Sequence, residues 1–220
     1  MLIDDVVKAW TTYSSTYMDG IKNTLLLAFV GTLFGCLIGF LCGILQTIPY
    51  KNNDSGIKKF LIKLLRGIIR VYVEFFRGTP MVLQAVFFYY GLPYLTQGAK
   101  LWSSVWACAM LVVSINTGAY MAETVRGGIL SIDKGQTEGA KAIGMNHWQT
   151  MLYVIMPQVF KNILPQIGNN YIINVKDTSV MFVITFTEFF AAHRAVVGAT
   201  YLYFPSAVIE MIGYLTMTLV

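Results

Sequence analysis

Three stretches of this chain carry no charged residue: 23–50, 81–99 and 101–122. Each reaches the roughly 18 residues that an α-helix needs to cross a hydrocarbon layer ~30 Å thick. Backbone in lipid must satisfy its own hydrogen bonds, which leaves helices or closed barrels. A barrel strand would alternate apolar and polar residues, and these runs do not. Composition agrees: hydrophobic residues make up 56% of the chain and charged residues 12%, against about 25% charged in a soluble domain. The expected fold class is an all-α integral membrane protein.

The first apolar run does not read as a cleaved signal peptide. It starts late, is too long for a signal core, and follows Asp4, Asp5 and Asp19 rather than a basic stretch. Cys36, Cys42 and Cys108 sit inside apolar runs. Their odd number and the lack of a Cys-x-x-Cys spacing argue against a disulfide framework or a metal site and for small hydrophobes in packing positions.

The net charge of +5 is unevenly placed. One basic cluster comprises Lys51, Lys58, Lys59, Lys63, Arg66, Arg70 and Arg77, and a second Arg126, Lys134, Lys141 and Lys161. The positive-inside rule puts both on the cytoplasmic side. They flank apolar spans without interleaved aromatic platforms, so nucleic acid is not an expected partner. Over 57–77, Lys59, Lys63, Arg66, Arg70, Glu74 and Arg77 recur at helical spacing, opposite Ile62, Leu65, Ile69, Tyr72 and Phe76. That pattern predicts an amphipathic helix at the inner membrane boundary. About five spans follow, near 21–48, 80–96, 101–125, 158–178 and 201–220. A short extracytoplasmic helix is expected near 185–198 and a polar cytoplasmic segment over 126–156.

That cytoplasmic segment is too short for a catalytic domain. Thr137 can cap a helix starting at Glu138, whose carboxylate suits the positive end of the helix dipole. Gly144 permits a left-handed stop. The result is a short rigid helix, suited either to docking another subunit or to an ordinary loop.

The segment resembles the "EAA" signature of ABC importer permeases, standing here as Glu138-Gly139-Ala140, Gly144, Val154 and Met156-Pro157. Gly139 replaces an alanine and Met156 a leucine. Glu74-Phe75-Phe76-Arg77-Gly78-Thr79-Pro80, Tyr89-Tyr90-Gly91-Leu92-Pro93, Gly118-Ala119-Tyr120-Met121-Ala122-Glu123, Arg126-Gly127-Gly128-Ile129 and Lys176-Asp177-Thr178-Ser179 look like the polar-amino-acid branch of that family. The resemblance implies a type I importer permease fold, one transmembrane domain over 1–220, in a prokaryotic plasma (inner) membrane. It also implies a second permease copy, identical or related, an ABC ATP-binding subunit and an extracytoplasmic substrate-binding protein. The coupling residues would be Glu138, Gly139, Ala140, Gly144 and Met145. Members usually continue past the last span into a short basic tail, which implies a few residues beyond Val220. No Gly-x-x-x-x-Gly-Lys-Ser/Thr loop is present. No catalytic residue, metal or cofactor is therefore expected in this chain, and ATP and Mg are expected on the partner ATPase.

Polar groups in a span are costly and face a cavity or a partner. Asn116, Asn169, Asn170, Asn174, Lys176 and Asp177 are the candidate substrate-binding residues; hydrogen bonding between spans is the competing role. The resemblance implies a neutral polar amino acid or cystine, because basic-amino-acid carriers often have Glu where Tyr171 stands. Glu123 and Arg126 are spaced to pair on one helical face. His147 is expected as a surface residue, and His193 with Glu188 falls short of a metal site. Residues 87–90 read as aromatic packing. An ATP-independent secondary transporter or channel is the alternative, but Glu210 is the only acid well inside a span. An intramembrane enzyme would need a nucleophile–base pair or a metal motif, and neither is found.

Overall fold

The computed structural model describes residues 2–50, 54–98, 102 and 104–219. Lys51, residues 99–101 at the junction of two uncharged runs, and Val220 lie outside the described residues. Among the described residues every regular element is helical. In chain order these are α1 (Leu2–Thr47), α2 (Gly56–Gly78), α3 (Met81–Val86), a π-helical turn (Phe87–Gly91), α4 (Leu92–Leu95), α5 (Val105–Ser131) and α6 (Lys134–Ala142). They continue with α7 (His147–Gln149), a second π-helical turn (Thr150–Ile155), α8 (Met156–Asp177), a 3₁₀ turn (Thr178–Ile184), α9 (Phe189–Thr200) and α10 (Tyr203–Leu219).

Two helices, Leu2–Thr47 and Val105–Ser131, are long and apolar enough by themselves to cross a membrane. A third candidate is His147–Ile184 with Phe189–Thr200, bent by 52° at the break. Met81–Leu95 is apolar but shorter. The first helix begins far before the uncharged run. Its early part is joined through a non-helical residue, Tyr13, just after Thr11, whose hydroxyl donates back to the Val7 carbonyl. Such back-bonding bends helices.

Chain contacts divide the protein into two compact units. The first comprises Met1–Leu33, Thr79–Ser114 and Tyr171–Val220. Leu27, Ala85, Val112, Val113, Met181 and Phe186 form one core there, and Ala9, Tyr17, Phe189, Val196 and Ile209 another. Residues 87–90 lie on the π-helical turn, where Phe88 and Tyr89 pack against the first core and the Trp102 indole donates to the Phe88 carbonyl at 2.8 Å. Glu188 is fully buried yet satisfied: it caps α9 by accepting from the backbone of Phe190 and Ala191, both at 2.7 Å, and from the Tyr214 hydroxyl. A carboxylate there also meets the positive end of the helix dipole. His193 instead contacts Ser206 at 2.8 Å and Glu210 at 3.4 Å. Among the described residues no three potential metal ligands converge.

The second unit comprises Phe34–Gly78 and Ile115–Asn170. Here α1 and α5 touch backbone to backbone. A Cβ on Gly35 would come within 2.6 Å of Thr117, one on Gly39 within 2.8 Å of the Met121 backbone, and one on Gly43 within 2.7 Å of Val125. In the first unit Gly31 meets Val113 in the same way. Four glycines spaced by four on one helix therefore receive four larger residues spaced by four on the other. Small-residue stripes of this kind allow close approach where lipid supplies no hydrophobic drive.

α2 has three faces rather than the two expected. Ile69 and Val73 are buried with Leu65 and Tyr72 against Ala122 and Cys42, and the Tyr72 hydroxyl donates to the Ile115 carbonyl at 2.6 Å. Lys63, Arg66 and Arg70 form the basic face. Phe60, Leu64, Ile68, Val71 and Phe75 form a third, exposed and wholly apolar.

Candidate functional site

The segment from Asp133 to Gln149 is built by three caps. Asp133, not Thr137, is the N-cap of α6: its carboxylate accepts from Gly135 N–H at 2.7 Å. The helix therefore starts at Lys134, and Thr137 and Glu138 lie inside it. Asp133 prevails because its short carboxylate reaches the free N–H groups of the first turn, four residues before Thr137. At the other end Gly144 has φ +87°. Its N–H donates to the Lys141 carbonyl at 3.0 Å and the Met145 N–H to the Ala140 carbonyl at 3.1 Å, the paired bonds of a Schellman stop. Two residues later Asn146 and Gln149 cap α7 reciprocally, each bond 2.9 Å.

Between these caps Glu138 and Gly139 face outward and Ala140 is buried. A Cβ on Gly139 would meet nothing within 4 Å, so the departure from alanine has no steric consequence. Met145 is half-buried. Gln158 of α8 donates to Gln136 of α6 at 3.3 Å, tying the short helix to the long one. Ile143 is 75% exposed and Trp148 54% exposed, so two large apolar side chains of this segment are also uncovered. Burial pushes the His147 imidazole below its usual pKa, and neighbouring Lys141 pushes it the same way.

The polar residues of α5 and α8 divide into two groups. Asn170 is buried and donates to the Met121 sulfur at 2.8 Å, a weak acceptor for an amide. Asn174 is buried and donates to the Thr32 hydroxyl at 2.8 Å. Asn116 is half-buried and donates to the Phe76 carbonyl at 3.1 Å. Asn169, Lys176 and Asp177 are exposed. Helical spacing explains the split, since 170 and 174 share a face that 169 and 176 do not.

The expected pairing of Glu123 with Arg126 is not found. Glu123 forms its ion pair with Arg77 of α2, whose guanidinium also lies over the Tyr120 ring at 5.4 Å. The three-residue spacing permits a pair along α5, but the partner Glu123 takes is Arg77 of the neighbouring helix. Sequence reasoning also missed the Asp133 cap, although an acid immediately before a helical segment is a usable signal.

Residues 59–218 match the family described as binding-protein-dependent transport system inner membrane component. The chain belongs to this family. The family match spans α2 to α10 and so includes α6 and its caps. The glutamine transport system permease protein GlnP of Escherichia coli (strain K12) is 32% identical over 203 residues, covering 92% of this chain and 86% of its own. The arginine transport system permease protein ArtQ of Bacillus subtilis (strain 168) is likewise 32% identical, with the same coverage. Among solved structures, the crystal structure of an amino acid ABC transporter with histidines superposes with a TM-score of 0.80 at 32% identity, over 95% of this chain and 90% of that one. The MetNI methionine ABC transporter in an inward-facing conformation gives 0.70 at 16% identity, over 93% and 90%, a likeness of fold. The family places this inner membrane component, like its relatives, in the membrane, consistent with the apolar helices.

Proposed function

We propose that this chain is the permease subunit of an ATP-driven importer that carries a polar amino acid, or cystine, into the cytoplasm. The observation that carries the reading is the likeness, at 32% identity over 92% of the chain, to permeases of glutamine and arginine transport systems. It favours an importer over an ion-coupled carrier. Hydrolysis falls to a separate ATP-binding subunit, which holds ATP and Mg, since this sequence has no phosphate-cradling loop. A substrate-binding protein delivers cargo from outside, and a second permease copy completes the pathway.

In this reading α6 is the coupling helix. Glu138 and Gly139 meet the ATPase together with Ile143 and Trp148, while Ala140, Gly144 and Met145 fix the helix and its stop. When ATP draws the two ATPases together, each capped helix moves as one body, and the spans reopen to the outside. Nucleotide shifts that equilibrium only by binding one state better than the other. Substrate recognition is assigned to Asn116, Asn169, Asn170, Asn174, Lys176 and Asp177. Asn169, Lys176 and Asp177 are accessible, and Asn170 gives up only a weak thioether acceptor to reach a ligand.

The test is ATPase activity of the chain reconstituted in liposomes with its ATP-binding subunit and binding protein, adding each of the common amino acids and cystine in turn. Stimulation by one of them, only with the binding protein present, is the expected result. Uptake that follows an ion gradient without ATP would overturn the proposal.

A further inference from the structure

A second polar site lies on the basic side of the second unit. A cavity of about 440 Å³ is lined by Gln46 of α1, Arg66, Arg70 and Glu74 of α2, and Glu123 and Arg126 of α5. Three arginines and two glutamates line it. Arg70 and Glu74 are loosely paired at 3.9 Å with both side chains largely exposed, and Glu123 is taken by Arg77. The Arg126 side chain has no ion pair or hydrogen bond with any described residue. Arg66 is held in place: one terminal nitrogen donates to the Ile48 carbonyl at 2.5 Å and its plane lies over Tyr50 at 5.4 Å. Its Nε is enclosed with no hydrogen-bond partner, and a buried N–H left unpaired is unfavourable. The site thus holds a fixed guanidinium with an unused donor and a second guanidinium without a partner.

The surroundings identify the ligand's source. Beside the basic face of α2 runs its exposed apolar face, where Phe60, Leu64, Ile68 and Val71, together with Lys63 of the basic face, line a shallow groove at Gly67. Basic and apolar strips side by side are what the boundary between headgroups and acyl chains requires. We propose that the Arg66–Arg126 cavity binds the phosphodiester of an anionic phospholipid of the cytoplasmic leaflet, with the acyl chains along the apolar face of α2. Arginine suits this ligand because its planar fork can grip two phosphate oxygens. With Glu74 beside Arg70 and Glu123 on Arg77, the guanidinium groups of Arg66 and Arg126 have no carboxylate, and one phosphodiester charge offsets one of the two. The proposal does not depend on which substrate is carried.

The experiment is native mass spectrometry of the delipidated, detergent-solubilised transporter titrated with phosphatidylglycerol, with diacylglycerol of the same chains, and with inorganic phosphate. Wild type is expected to retain phosphatidylglycerol saturably and diacylglycerol not at all. Arg126→Gln, at an exposed side chain with no partner to lose, is expected to weaken retention by about tenfold, the loss of one hydrogen bond to a charged group. Arg66→Gln is expected to do the same, and Lys8→Gln, the same charge removed elsewhere, to do nothing. Undiminished retention in Arg126→Gln, equal loss in Lys8→Gln, or equal retention of diacylglycerol would overturn the proposal. Displacement of the lipid by inorganic phosphate would assign the site to a soluble oxyanion and overturn the lipid source.

Discussion

Arg77 on α2 is ion-paired to Glu123 on α5 while its guanidinium lies over the ring of Tyr120. Both charged side chains are partly exposed, so the pair is screened, and a double-mutant cycle should give a coupling of about 0.2–1 kcal/mol. Arg77→Lys should lose the stacking and part of the pairing. The swap of Arg77→Glu with Glu123→Arg should recover more stability than either single change. Thermal unfolding in detergent reads each of these proteins.

Gly39 sits where a side chain would meet the Met121 and Ala122 backbone, atoms that cannot rotate away. Gly39→Leu should therefore destabilise the protein by about 1–3 kcal/mol, the usual cost of overpacking. Gly127→Ala is the control: nothing lies within 4 Å of its added methyl, and alanine gains up to about 1 kcal/mol of helix propensity. Opposite shifts in melting temperature are expected. A tolerated Gly39→Leu would mean that α1 and α5 do not approach this closely.

At Gly144 the constraint is conformational, since φ +87° lies in the left-handed region while a Cβ there would touch nothing. Gly144→Val should cost about 1–2 kcal/mol locally and unmake the stop of α6. The variant should still insert, but substrate should no longer stimulate the partner ATPase. Unchanged uptake would count against α6 as the coupling helix.

His147 is held below its usual pKa, first by burial and then by Lys141. Its neutral form is thus preferred in the folded state. The sign follows: this stability is fully present above the ordinary histidine value of about 6.5 and is lost as pH falls through the lower folded value. His147→Gln should flatten the acid side of the stability profile, measured by unfolding at a series of pH values. An identical profile in the variant would show that His147 does not titrate in this way.

The helical membrane class was legible because charge-free runs leave few other solutions, and the family was legible from several short motifs in order. What escaped was mostly pairwise. The spacing of Glu123 and Arg126 satisfies a rule for one helix, but the partner came from another helix, and no single-helix pattern contains that fact. The glycines at 31, 35, 39 and 43 were visible as letters, yet their meaning depends on what faces them. Two faces of α2 were expected because charge marks one; the exposed third face and the buried face are both apolar, and sequence does not separate them. The helix before residue 21 was missed because its acids and threonines dilute the apolar pattern.

The turn at Thr150–Ile155 has π-helical geometry. Such a turn is an ordinary helix carrying one residue too many, and one residue is about 100° of rotation. The azimuth of α7 relative to the polar face of α8, and hence of everything mounted on Asn146, is set by that surplus residue. Deleting it would leave each helix and each cap intact and turn one against the other like a misindexed gear.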